Sequence, residues 1–381
     1  MTEAKKQRDP KDLFHSNYNW TIKFEIMPLK EGSKCKKVIQ FILCITILLS
    51  CGQPKTPYTE EIPKEERNDL SLSFRRFDLD LYRNSFKDAT GFTDSLRNSY
   101  GQFFCDFVEA DIRIGGCNDS VTAFELERFR NHPDILFTHE EIERVFPREK
   151  MSIIEEAITE MMQRKNHFFP STKTPEFIFY QAAWNNRIHV TDSIIAIALD
   201  YYLGRESKAI SLLSPDLFPQ YKKRDMTPEM IMPDLAKSIA SYVCNPFYNE
   251  QGTLLDEIII FGKMLSISKA LLPETEDSLL LSYTQEQFEW AEANEWNTWK
   301  ILADNRTIYS KQRRDIDRWF IEGPFTGVPG IPQNSAPQLG AFIGWKMVRQ
   351  YAEKHPEISL QDVIALNDSK LFLETYTPQK K

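Results

Sequence analysis

Histidine and glutamate come closest to a catalytic spacing at His139-Glu140-Glu141-Ile142-Glu143. Zinc peptidases place two histidines four residues apart on a helix, with a glutamate between them as general base. Here Glu143 stands where the second imidazole is required. The segment therefore predicts the first turn of a helix with acidic residues rather than a zinc site. The sequence also carries no nucleophile elbow, Walker loop or Gly-x-Gly-x-x-Gly phosphate loop.

Carboxylates and tryptophans form the other candidate groups. Asp256-Glu257 and Glu274-Thr275-Glu276-Asp277 have no obvious partner, and solvated faces of a helix and a loop explain such clusters. Trp290, Trp296 and Trp299 fall at six- and three-residue spacings on one predicted helix. A core stripe is the expectation for these indoles, and a sugar-binding platform is the alternative.

Two glycines, Gly340 and Gly344, lie one turn apart on a predicted helix beside Trp345. A missing Cβ at both positions lets another backbone approach closely. Tight packing against a second helix is the expectation, and the lining of a groove is the alternative.

The residues before Cys51 predict a lipid modification of this cysteine. The apolar run from Val38 to Leu49 follows three lysines within residues 34–37 and is too short to cross a bilayer, which takes about 20 residues. A basic segment, a short apolar run and a small residue such as Ser50 are typical of a secretory signal. With a cysteine next, the arrangement resembles the bacterial lipobox, so we expect cleavage before Cys51 and acylation of its sulfur.

The chain is divided into three parts on this basis. Residues 1–50 are the leader and lipoprotein signal peptide, with translation expected to start at Met27, where a normal-length basic segment begins. Residues 51–69 are rich in proline and charge and predict a flexible tether next to the lipid. Residues 70–381 are expected to form one globular domain. Gly52 and the lack of early acidic residues favour the outer membrane, facing the periplasm.

Three cysteines remain after the proposed lipidation site: Cys105, Cys117 and Cys244. Export permits a disulfide, and one between Cys105 and Cys117 would close a short loop. Burial as small apolar side chains explains the same residues equally well.

Hydrophobic periodicity predicts an α+β fold, mainly helical with a small sheet. Glu176–Tyr180 and Ile194–Leu199 are short apolar runs typical of strands. Ser71 to Ser85 fits a helix or a strand, and Gly323 to Pro337 predicts an irregular loop. The main predicted helices cover residues 122–130, 139–146, 151–164, 230–243, 254–272, 284–303, 338–354 and 359–366.

The charge of the chain excludes one class of partner. The net charge is −8, and removal of the first 50 residues leaves 38 basic and 50 acidic side chains, a net charge of −12. An acidic body without a basic face repels phosphate backbones. Nucleic acid is therefore not an expected partner.

Short segments in a fixed order resemble the gliding-motility lipoprotein GldB family of Bacteroidota. They begin at Leu48-Leu49-Ser50-Cys51 and end at Tyr376-Thr377-Pro378, so the resemblance spans nearly the whole chain after the signal. The matching segments between these ends are Arg76-Phe77-Asp78, Phe169-Pro170, Ala198 to Gly204, Pro233-Asp234, Leu254 to Lys263, Leu271-Leu272-Pro273, Tyr283-Thr284, Trp290, Asn294-Glu295, Gly323-Pro324-Phe325 and Gly340 to Arg349.

The resemblance implies a zincin-like peptidase fold whose catalytic helix has lost its metal ligands. In the helix that aligns there, Pro233 and Lys237 stand at the two histidine positions, and Asp234 stands at the position of the base. Neither proline nor a cationic lysine can ligate zinc, so no metal and no cofactor are expected. The polar residues expected to line any surviving groove, on this helix and the next, are Asp234, Lys237, Glu257 and Lys263.

The function implied by the resemblance is a non-enzymatic binding or scaffold role in the cell envelope. Its expected partners are the membrane, through the lipid, and other envelope proteins of the gliding or secretion machinery. Two alternatives stay open: an envelope hydrolase with an unrecognised site, and a carbohydrate-binding lipoprotein that uses the tryptophan helix.

Overall fold

The computed structural model describes residues 57–63, 70–83, 88–170, 173–304 and 307–380, all within the unit Pro54–Lys381. These residues form a mainly helical α+β fold with a small four-stranded sheet, which confirms the predicted class. The strands are β1 (Phe74–Arg76), β2 (Glu176–Tyr180), β3 (Ile188–Val190) and β4 (Ile194–Ala198). The α-helices are α1 (Phe77–Asp80), α2 (Ala89–Tyr100), α3 (Gln102–Asp106), α4 (Ser120–Arg130), α5 (Pro133–Val145), α6 (Arg148–Phe168), α7 (Lys208–Leu212), α8 (Gln220–Arg224), α9 (Ile231–Cys244), α10 (Leu254–Leu271), α11 (Asp277–Leu280), α12 (Gln285–Ala293), α13 (Glu295–Asp304), α14 (Arg313–Asp317), α15 (Leu339–Lys354), α16 (Leu360–Ala365) and α17 (Ser369–Thr375).

The sheet has the strand order β1-β2-β4-β3, with β3 antiparallel to β4 and the other pairs parallel. Side chains alternate between two apolar layers because successive residues of a strand point to opposite faces. Phe177 and Ile195 pack in one layer with α6 and α9. Ile178 and Ala196 pack in the other with α2, α3 and α4. Strands β2 and β4 confirm the two predicted strands.

Two predicted helices have different bounds. The helix expected to begin at His139 begins instead at Pro133, so the prediction that His139 lies in the first helical turn was wrong. Proline suits a first helical position because its φ is fixed and no N–H is needed there, and His132 caps the helix with its side chain. The single helix expected over residues 284–303 is two helices, because α12 ends before Asn294, whose side-chain amide donates to the carbonyl of Trp290.

Helix α10 crosses α15 with the two backbones in contact. A Cβ added at Gly344 would lie 1.9 Å from the carbonyl oxygen of Ile258, and one added at Gly262 would lie 2.2 Å from the carbonyl oxygen of Gly344. Both distances are far inside van der Waals contact, so only glycine fits at either position. The prediction of tight helix packing at Gly344 is confirmed.

Part of the predicted tether is held on the folded body. The guanidinium of Arg164, which is buried, donates to the carbonyl oxygens of Tyr58, Glu60 and Ala270. The side chain of Ile62 is also buried. Residues 57–63 are therefore not a free tether, because a buried cation that needs acceptors holds their carbonyls.

The cysteines outside the leader fall in two groups. Cys105 and Cys117 form a disulfide, and Cys244 is a buried free thiol. Cys51, Met27 and the predicted signal peptide lie outside the described residues. No described helix is both long enough and apolar enough to cross a membrane.

Candidate functional site

Asp234 and Lys237 lie in a charged cavity of about 320 Å³. They are three residues apart on α9, which places their side chains on one face of the helix. The walls come from α8, the start of β3, the end of α11 and the loop before α15. Among the lining side chains are four cations and three anions: Arg187, Lys222, Arg224 and Lys237, and Asp225, Asp234 and Glu322.

Asp234 is the centre of a hydrogen-bonded ion network. Its carboxylate lies 2.9 Å from Nζ of Lys237 and 3.6 Å from a guanidinium nitrogen of Arg187, and it accepts a hydrogen bond of 3.2 Å from the hydroxyl of Tyr202. Burial disfavours the charged form of Arg187, yet Asp234 and other neighbours raise the pKa of this guanidinium above its usual value. Burial and the adjacent carboxylate raise the pKa of Tyr202 well above 10. The guanidinium of Arg187 and the phenol of Tyr202 therefore keep their protons.

The remaining cations of the cavity differ in how they are paired. The guanidinium of Arg224 forks onto the carboxylate of Asp225 at 2.6 and 2.8 Å and donates to the carbonyl of Ser282. Lys222, half-buried in the lining, has no ion-pair partner within the described parts of the chain. The cavity therefore carries one uncompensated positive charge.

The backbone of the cavity wall is strained at two positions. Ser282 and Gln338 have φ values of 56° and 48°, in the left-handed region that non-glycine residues rarely adopt. The hydroxyl of Ser282 accepts a 2.7 Å hydrogen bond from Lys237, and the side chain of Gln338 donates to the carbonyl of Phe320. Strain of this kind concentrates at ligand-binding sites, where surrounding structure holds it in place.

Glu257 and Lys263 lie in a second cavity, of about 260 Å³, on α10. Glu257 pairs with Arg313 at 3.3 Å. The ammonium of Lys263 is buried and donates to the carbonyl oxygens of Ile364 and Leu366, at the C-terminal end of α16. The structure thus places the four predicted groove residues at two separate cavities and not in one groove, because the two helices turn these side chains towards different neighbours.

No group of three or more histidine, cysteine, aspartate or glutamate side chains suited to a metal occurs among the described residues. His139 stacks on the ring of Tyr82 with centroids 3.7 Å apart, and Nε2 lies 3.8 Å from Glu143. Burial lowers the pKa of this imidazole. His139 is thus a packed side chain on α5.

The three tryptophans do not form a single stripe. Trp290 lies on α12, whereas Trp296 and Trp299 lie on α13. Trp296 is 39% exposed, and Trp290 and Trp299 are partly buried against the C-terminal apolar cluster. Trp299 also packs edge-on against Tyr376. The expectation of one core stripe on one helix was wrong, because the break at Asn294 divides the indoles between two helices. Two of them still pack against the core, and a single exposed indole is a poor platform for a sugar ring.

Arg187 and Lys222 were not among the residues singled out in the sequence. Arg187 belongs to no recognisable motif. It precedes a strand of only three residues, which is too short to show an alternation of polar and apolar side chains. The only visible signal was the basic run Lys222-Lys223-Arg224, which has no charged neighbour at helical spacing before it.

One comparison with known proteins identifies a family. A family model described as gliding motility protein GldB matches residues 58–378. No curated protein and no solved structure matches the chain. The match covers all four strands, both cavities and the crossing of α10 with α15.

Proposed function

Because the chain belongs to the gliding motility protein GldB family, we propose that it is a non-enzymatic, lipid-anchored envelope component that binds a protein of the gliding or secretion machinery. Its lipid is attached at Cys51, and its folded body faces the periplasm from the outer membrane. The family name supports an envelope lipoprotein, and the sequence pattern around Cys51 supports the position of the lipid.

The observation that carries the non-enzymatic role is the ion network at Asp234. In the peptidase-like resemblance, which stays a prediction from the sequence, this residue stands at the position of the base. In the structure, Lys237 and Arg187 both face its carboxylate. A divalent cation bound here would bring three positive groups close together in a partly buried site, which is strongly unfavourable. Pro233, at the other aligned position, offers no side-chain ligand.

The charge of the cavity supports a binding role. Lys222 has no anionic partner among the described residues, so a ligand carrying a carboxylate would complete the pairing in the cavity. An acidic side chain or the C-terminus of a partner protein supplies such a group. The site is thus suited to recognition of an acidic peptide segment.

A photocrosslinking amino acid placed at residue 222 tests the binding role in native envelopes. We expect adducts with a discrete envelope protein, and far fewer when the same amino acid replaces Lys300, an exposed lysine on α13 outside the cavity. The Asp234→Ala variant, which disturbs the cavity, should reduce the adduct at 222. Equal labelling from positions 222 and 300 would contradict the assignment of this cavity.

Metal analysis of the purified protein tests the non-enzymatic part separately. We expect zinc far below one equivalent after dialysis against a weak chelator, because the aligned helix lacks ligands. One tightly bound zinc per chain, lost in the Asp234→Ala variant, would instead support the envelope hydrolase.

A further inference from the structure

The N-terminal segment of the described chain is fastened to one face of the folded body. Arg164 donates to the carbonyl oxygens of Tyr58 and Glu60, at 3.3 and 3.0 Å. The hydroxyl of Tyr58 donates to the carbonyl of Ile358, and Ile62 is buried. Three separate contacts thus fix where the chain leaves the body on its way to Cys51.

The chain available between this point and the lipid is short. Five residues, 52–56, separate Cys51 from Pro57. Even a fully extended chain spans at most about 3.6 Å per residue, so the six steps from Cys51 place Pro57 within about 22 Å of the lipidated residue. That reach is smaller than the long dimension expected for a body of this size. The anchor therefore restricts orientation as well as location.

We propose that the bilayer lies against the face around Pro57, which we name the anchor face. This inference rests on the lipidation at Cys51 in the proposed function. The anchor face surrounds a cavity of about 720 Å³ lined by Tyr58, His167, Phe168 and the segment 356–361. Helix α6, which carries Arg164 and ends at this face, packs on one side of the sheet.

The occupant of the anchor face is a lipid surface without net charge. The exposed carboxylates Glu60, Glu353 and Glu357 all lie around the cavity. Carboxylates that lie within a Debye length of the bilayer, about 8 Å at physiological salt, repel anionic headgroups. The face therefore suits zwitterionic headgroups, and it approaches a strongly anionic leaflet less closely.

Quenching of a fluorophore by headgroup nitroxides measures the orientation directly. The acylated protein, reconstituted in phosphatidylcholine vesicles with nitroxide-labelled headgroups, would carry a maleimide fluorophore at Glu357→Cys. The matched control is Glu127→Cys on α4, an exposed residue of the layer that covers the opposite face of the sheet. The cysteines of the described residues do not compete, because Cys244 is buried and Cys105 and Cys117 are paired.

We expect several-fold stronger quenching at position 357 than at 127. A twenty-residue Gly-Ser spacer inserted after residue 56 should remove most of the difference, because a flexible linker no longer restricts orientation. Equal quenching at the two positions, or stronger quenching at 127, would overturn the anchor face. The acyl mass on the Cys51 peptide separates the two proposals: without it the lipid anchor fails as well, and with it only the orientation fails.

Discussion

Two sets of one acidic residue and one lysine, on neighbouring helices, make different contacts in this protein. On α9, Asp234 and Lys237 form a direct ion pair of 2.9 Å at the wall of an open cavity. On α10, Glu257 and Lys263 do not meet. Glu257 pairs with Arg313, and Lys263 is buried against two backbone carbonyls.

The difference follows from spacing and from burial. Residues three apart on a helix are neighbours on one face, whereas residues six apart lie on different faces. Helix α10 is enclosed on most sides, with thirteen of its 18 residues buried, so Lys263 must find acceptors inside the body. An acid and a lysine therefore form an ion pair at the wall of an open cavity on one helix, and make separate contacts with other partners on the next.

The largest effect should come from Asp234→Ala. The substitution leaves Lys237 and Arg187 close to each other without their shared carboxylate, which we expect to cost about 3 kcal/mol of unfolding free energy. Urea denaturation of the purified folded body measures this loss. Glu257→Ala is the control: Arg313 is half exposed, so the loss should stay below about 1 kcal/mol. Equal losses in the two variants would remove the distinction between the sites.

A smaller effect is expected from Lys263→Met. The methionine fills the space but leaves the carbonyl oxygens of Ile364 and Leu366 without a donor, at a cost of about 2 kcal/mol. The matched variant Lys237→Met should cost less, because Lys237 is partly exposed and Asp234 keeps Arg187 as a partner. The denaturation midpoints of the two variants at pH 7 compare the two losses of stability. A larger loss in Lys237→Met than in Lys263→Met would contradict the structural role assigned to Lys263.

The smallest effect is a dependence of stability on pH at the buried Lys263. Burial lowers the pKa of Lys263 to about 8 from an ordinary value of 10.5. Between these two values the unfolded chain binds the proton and the folded chain does not, so stability rises with pH from about 8 towards 10. The neutral amine still offers two N–H donors for the two carbonyls. The stability of the wild type relative to Lys263→Met should thus increase by about 1 kcal/mol from pH 8 to pH 9.5. A flat or falling difference would show that the ammonium is solvated.

Elements with a strong period could be predicted from sequence. The apolar stripe of residues 151–164 lies within α6, and the runs at 176–180 and 194–199 are the two central strands. Strands β1 and β3 could not be found in the same way, because three half-buried residues give too little alternation. The segment 71–85, which fitted a helix or a strand, contains both, because β1 runs directly into α1.

The candidate site was predictable only where its residues share one helix. Asp234 and Lys237 lie close together because a spacing of three residues on one helix places both side chains on the same face. Arg187 completes the network from the start of a strand, and Ser282 reaches it through a left-handed turn. Those contacts depend on how α9 and β3 pack, which no local pattern records. For the same reason the sequence could not indicate that α10 turns Lys263 away from the cavity on α9.

The enclosure of α10 also ties the C-terminal part of the described body to the part that contains the sheet. Ile260 and Ile267 belong to the layer against the sheet, while Ile258 and Ile259 belong to the layer shared with α15. A proteolytic cut that released the chain after Gln338 would expose one side of α10 to solvent. It would also remove Gly344, whose backbone contacts Gly262. We therefore expect such a cut to destabilise α10 together with the two apolar layers that this helix joins.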